Sequence, residues 1–167
     1  MVLSYTNEVS QNFKERMVWW YTKLINIKLK IWRDPWLDFI LCWMIFDAYV
    51  TEISGCDRDR DKLNYFYNNK NDFKNIILNS DKWRSLSVYR IKLKKLSPVL
   101  DMRPNSNGTV YLNDENSLEQ TFNFIYQIRC NLFHGSKNIK NTKDAELVRY
   151  ADKFLRSSVV DYWMKGE

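Results

Sequence analysis

The chain has 167 residues, with 26 Lys and Arg against 20 Asp and Glu, three Cys and a single His. This length suits one domain with a real apolar core, and 45% hydrophobic with 16% aromatic residues exclude a disordered chain. Four Gly and three Pro exclude a turn-rich all-β fold, and neither GxGxxG nor a GxxxxGK phosphate loop occurs.

Cys42, Cys56 and Cys130 lie far apart, with no C-x-x-C pair and no second His, so neither a metal site nor a cofactor is expected. The polar start (Ser4, Thr6, Asn7, Glu8) lacks the pattern of a signal peptide, and with three unpaired-looking Cys it suggests a reducing cytoplasm. The net charge of +6 lies wholly in residues 1–100, which hold 17 basic and 11 acidic residues; residues 101–167 balance at 9 and 9.

In chain order, Phe13, Met17, Trp20, Leu24, Ile27 and Ile31 recur at helical spacing and predict a long amphipathic helix. Asp34-Pro35 punctuates it as N-cap and first helical residue of the next. Trp36 to Ile53 is apolar on almost every face. Its longest uncharged run is only the eight residues Phe39 to Phe46, too short for a membrane span, which predicts the central helix of a bundle. After Ser54-Gly55 an alternating charge stretch, Asp57 to Lys62, leads into Tyr65, Phe66, Tyr67 and an Asn-rich turn. A short helix over Phe73 to Leu78 follows. Ser80-Asp81 then caps a helix with Leu86, Tyr89, Leu93 and Leu96 inward, ended by Ser97-Pro98. Residues 99–113 lose the period around Pro104 and Asn107-Gly108 and read as an irregular loop or small hairpin. Asp114 opens a helix to about Phe133. Lys143 to about Met164 forms the last one, with Leu147, Ala151, Phe154 and Tyr162 inward. With no internal repeat and no linker, residues 1–167 form a single all-α helical bundle with one short excursion.

The chemistry concentrates on the helix after Asp114. Its stripe of Leu118, Phe122, Ile125 and Leu132 passes through Arg129. An always-charged guanidinium on an apolar stripe must reach solvent, pair with an acid such as Asp38 or Asp47, or face a cleft or a second subunit. Further along lies His134, followed by Gly135, a favoured helix-ending residue. His134 therefore sits in the last turn, at the negative end of the helix dipole. A His that moves protons beside an Arg that holds a phosphate suits phosphodiester cleavage. The plainer alternative is a His that merely caps the last carbonyls.

The string Ile128-Arg129-Cys130-Asn131-Leu132-Phe133-His134-Gly135 resembles the R-x-x-x-x-H signature of HEPN domains, and its N-L-F-H-G ending is similar to the Apea-like branch. Trp43-Met44-Ile45-Phe46-Asp47-Ala48-Tyr49 resembles the W-x-x-F-N-A segment on an early helix of such domains. The resemblance implies a helical bundle that dimerises, with both Arg-His pairs lining one cleft. It further implies a metal-independent endoribonuclease of toxin or antiviral-defence type. Arg129 and His134 carry the chemistry over. Asn131 and Asp47 are auxiliary candidates, because Cys130 and Asp47 stand where the family more often shows polar residues or Asn. RNA, a second copy of the chain, and an antitoxin of nucleotidyltransferase type or another defence component are the implied partners. No membrane is implied. The rival reading is a non-catalytic HEPN-like module that binds RNA or protein.

Lys82 to Lys95 carries six positive charges and no negative one. Arg90, Lys92, Lys94 and Lys95 thus offer a phosphate track, or simply a solvated helix face. Lys137 and Lys140 follow the motif and are further candidates for RNA contact. Trp20, Trp36 and Trp43 fit the core better than a base-stacking platform, for which Tyr65 and Tyr67 are better placed.

Overall fold

The computed structural model describes residues 12, 13, 15, 16, 19, 22, 35–69, 72–102, 106–134 and 141–160. Its elements are α1 (Pro35–Ser54), α2 (Asp59–Asn68), α3 (Asp72–Ile77), α4 (Ser80–Ser85) and α5 (Ser87–Lys95). The strands β1 (Val99–Leu100) and β2 (Thr109–Val110) follow, then α6 (Leu118–Phe133), α7 (Thr142–Leu155) and a π-helical turn (Arg156–Val160). The fold is all-α, with one small antiparallel hairpin pairing Val99 with Val110 and Leu100 with Thr109. Of the first predicted helix, Phe13 is buried in the core; Met17, Trp20, Leu24, Ile27 and Ile31 lie outside the described residues, as do Lys137, Lys140 and Tyr162.

α1 is the central helix that its composition predicts. Trp36, Phe39, Cys42, Trp43, Ile45, Phe46, Tyr49 and Val50 are all buried, and its largest packing partner is α7. It stops at Gly55, whose φ of 64° is the left-handed conformation that ends helices at little cost for glycine. α2 departs at 70° to α1. An aromatic cluster joins four helices: Phe122 of α6 lies 4.9 Å from Phe46 of α1, 5.2 Å from Phe66 of α2 and 5.6 Å from Phe154 of α7. Pairs of this kind add about 0.5–1.5 kcal/mol each beyond burial, so this cluster fixes where α6, the motif helix, sits.

Four boundaries differ from the sequence pattern, each for a local reason. α6 starts at Leu118 because Ser117 caps it, its hydroxyl accepting from the Gln120 amide, while Asp114 instead accepts from the Asn116 amide in the preceding turn. The basic segment is two helices, broken at Leu86, with Asn79 as the cap of the first. The charge stretch after Gly55 is helical: Asp59 and Asp61 occupy the first turn of α2, and Leu63 and Phe66 face the core. α7 begins one residue early, capped by Asn141. Among the described residues no single helix is long and apolar enough to cross a membrane.

Candidate functional site

Arg129 and His134 both sit on α6, whose inward residues Phe122, Ile125 and Ile128 are fully buried. Arg129 leaves that buried row at its edge. Its side chain is 24% exposed and donates through Nη1 to Asp59 Oδ2 at 3.0 Å. The guanidinium stacks over the Phe133 ring at 4.6 Å and lies 5.9 Å from the Trp43 ring. Its Nε is buried and meets no hydrogen-bond acceptor among the described residues, and neither does the indole N–H of Trp43.

The acid that meets Arg129 is therefore Asp59, not Asp38 or Asp47. Asp47 accepts from Lys62 Nζ at 3.2 and 3.3 Å, and Lys62 in turn lies 3.9 Å from Asp59. Charges alternate along one chain, Asp47, Lys62, Asp59, Arg129, joining α1, α2 and α6. Asp47 thus acts two steps from the guanidinium. Sequence reasoning missed Asp59 and Lys62. The signal available was their i,i+3 spacing of opposite charges in front of the buried Leu63 and Phe66.

His134 is exposed and forms the C-cap of α6, its backbone N–H donating to Cys130 O at 3.0 Å. Phe133 beside it is exposed. Leu100 and Met102 are exposed too, and the hairpin that carries them is tied to the same end of α6. The tie is Asn131, with no exposed surface. Its Nδ2 donates to Leu100 O at 2.6 Å, while its Oδ1 accepts from the Met102 amide and from Gln127 Nε2. Asn131 is thereby corrected from an auxiliary active-site residue to the anchor of the hairpin.

Arg90 is likewise corrected. It is 1% exposed, its guanidinium 3.7 Å over the Trp83 ring, and it donates to Trp83 O, Glu115 O and Asn116 Oδ1. Burial pulls its pKa down, against the nearby Glu115 and Asp114. It clamps α5 to the loop before α6 and has no surface left for RNA. Lys94 pairs with Glu115 and holds that carboxyl below its usual range. Lys92 and Lys95 are exposed and in no ion pair with any described residue, and remain as surface cations. Tyr65 and Tyr67 are both half-buried; Tyr67 packs against the core with its hydroxyl donating to Asn123 Oδ1, which ties it to the scaffold rather than to a base. Cys130 is buried.

A second ionic cluster lies across α1. Arg156 Nη2 is 3.0 Å from both Asp38 Oδ2 and Asp152 Oδ1, and the Cys42 thiol donates to Asp152 at 3.4 Å. Burial raises the Asp152 carboxyl above its usual range, with Arg156 opposing and Asp38 adding to the shift. Burial also keeps the Cys42 thiol protonated well past its usual range. Among the described residues no three His, Cys, Asp or Glu gather as metal ligands would. Comparison with protein-family models, with curated proteins and with solved structures returned no match.

Proposed function

We propose that this chain is an endoribonuclease of the HEPN type, working without a metal as a homodimer in a toxin or antiviral-defence role. The observation that carries the reading is the setting of Arg129. Its guanidinium stands at the edge of a buried helix face, partly exposed, with no acceptor for Nε among the described residues, near the C-terminal end of α6 where His134 is exposed. The exposed Phe133, and the exposed Leu100 and Met102 of the hairpin tied to that end, support a second copy as the cover, since exposed apolar surface is where subunits meet.

In this mechanism one His134 takes the proton of a ribose 2′-hydroxyl. The oxygen attacks the adjacent phosphorus, the bond from phosphorus to the 5′-oxygen breaks, and the partner subunit's His134 protonates that leaving oxygen. Arg129 bears the charge of the pentacoordinate phosphate. Products carry 2′,3′-cyclic phosphate or 3′-phosphate ends. The protein partner that this class implies is an antitoxin of nucleotidyltransferase type or another component of a defence system.

One observation favours the rival, a non-catalytic binding module: the 3.0 Å pair with Asp59, which competes with phosphate for the guanidinium. RNA incubated in EDTA separates the two. The enzyme reading expects cleavage by the wild type and none by Arg129→Ala or His134→Ala. The rival expects salt-dependent RNA binding and intact RNA throughout.

A further inference from the structure

We infer that the cavity between α2 and α6, beside the Arg129–Asp59 pair, is a nucleobase subsite that favours bases bearing an exocyclic amino group over uracil. Its role as part of an RNA path rests on the proposed nuclease reading. The cavity holds about 320 Å³, at the lower end of ordinary ligand sites. Its walls include Arg60 and Asn64 from α2 and Glu119, Asn123, Tyr126 and Gln127 from α6.

The hydrogen bonds already made inside the fold decide what each wall can offer. Asn123 accepts the Tyr67 hydroxyl proton on Oδ1, so its Nδ2 is the group left to donate. Gln127 donates from Nε2 to Asp101 Oδ1 at 3.1 Å and Asn131 Oδ1 at 2.9 Å, which leaves Oε1 to accept. Asn123 and Gln127 are one helical turn apart and so lie side by side on α6. A fixed donor next to a fixed acceptor matches the edge of a nucleobase. Glu119 forms no hydrogen bond or ion pair with any described residue and adds acceptors only. With Arg60 directed to a phosphate, acceptors outnumber donors on the α6 wall of Glu119, Asn123 and Gln127, and a base with an amino group satisfies them better than uracil, whose exocyclic groups only accept.

Two further walls suit a single strand. The Tyr126 ring, backed by Trp43 at 5.8 Å, gives a stacking surface. Arg60 is exposed and forms no ion pair with any described residue, which leaves it for a phosphate. Tyr126 is three residues from Arg129 on α6, and Arg60 adjoins Asp59 on α2. The cavity thus lies about 12 Å along the helix axis from His134, at 1.5 Å per residue. That offset fits a neighbouring nucleotide rather than the one cleaved.

The test is titration of the full chain in EDTA with each of the four ribonucleoside 5′-monophosphates, followed by backbone amide NMR shifts. At least one of AMP, CMP and GMP should bind ten-fold or more tightly than UMP, with shifts at Asn64, Asn123 and Gln127. Asn123→Asp keeps the acceptor for Tyr67 but turns the free donor into an acceptor, and should weaken that binding at least ten-fold. Asn64→Ala, at an exposed position, should weaken it without touching the interior. Equal affinity for all four, shifts confined elsewhere, or no binding at all overturns the subsite. Base binding without RNA cleavage removes only the nuclease reading. RNA cleavage lost in His134→Ala but indifferent to base and to Asn123→Asp removes only the subsite.

Discussion

Arg129 and Arg156 both tie helices together through carboxylates, in settings that differ in burial and in charge balance. Arg156 is 16% exposed and serves two carboxylates, Asp38 and Asp152, that are 10% and 9% exposed. Arg129 is 24% exposed and serves one, Asp59, at 28%, which also lies near Lys62. In the first cluster one cation offsets two buried acids, with the Cys42 thiol also donating to Asp152, so it is bound to the interior. In the second, positive and negative charges balance along an open chain, and water screens the Arg129 pair to at most about 1 kcal/mol. A guanidinium held that weakly can exchange its carboxylate for a phosphate. The difference makes Arg156 part of the scaffold, and in the proposed nuclease it leaves Arg129 as the group that meets the phosphate.

Substitutions at the two clusters put that contrast to the test. Arg156→Met leaves Asp38 and Asp152 without their cation. It should cost about 3–5 kcal/mol in a denaturant melt, whereas Arg129→Ala should cost about 1 kcal/mol or less. Equal losses would erase the distinction. Asp152→Asn probes the same cluster through pH. Because burial raises the folded carboxyl, the protonated form stabilises the fold below the ordinary carboxylate value near 4, and that stability fades as pH rises through the raised value. The wild type should therefore lose more stability than Asp152→Asn between pH 4 and 7. Parallel curves would show that Asp152 does not titrate in this way.

On the open side, Asp59→Asn should change stability by less than about 1 kcal/mol and raise RNA affinity a few-fold, by removing the rival for Arg129. A fall in affinity would instead make Asp59 the residue that positions the guanidinium. The smallest effect is expected from Lys92→Ala with Lys95→Ala, which should lower the slope of log affinity against log salt by about 0.7 per lysine if both meet phosphate. An unchanged slope makes that face of α5 merely solvated.

The helices that bury a full stripe were legible from residue spacing alone. α1 shows Pro35 at its start and Gly55 at its end, and Leu147, Ala151 and Phe154 of α7 all turn inward as their period predicts. That residues 99–113 leave the helical pattern was legible from the broken period, which left a loop and a hairpin both open. α2 was not, because its alternating charges hide a short apolar face of Leu63 and Phe66. With α2 hidden, Asp59 and Lys62 could not be placed against Arg129. Spacing also cannot separate Arg90 from Lys92 and Lys95. All three lie in one basic run, yet Arg90 alone meets Trp83 and the carbonyls before α6, a tertiary contact that no local pattern encodes. Asn131 was drawn to the site by its neighbours in sequence, whereas its helical position turns it toward the hairpin.

In the proposed function Arg129 and His134 together cleave RNA. The most direct measurement is incubation of mixed RNA in EDTA with the wild type, Arg129→Ala and His134→Ala, each shown to be folded by its thermal melt, with product ends identified. The account predicts 2′,3′-cyclic or 3′-phosphate ends from the wild type and at least a hundred-fold loss in both variants. Cleavage by His134→Ala at the wild-type rate would contradict it.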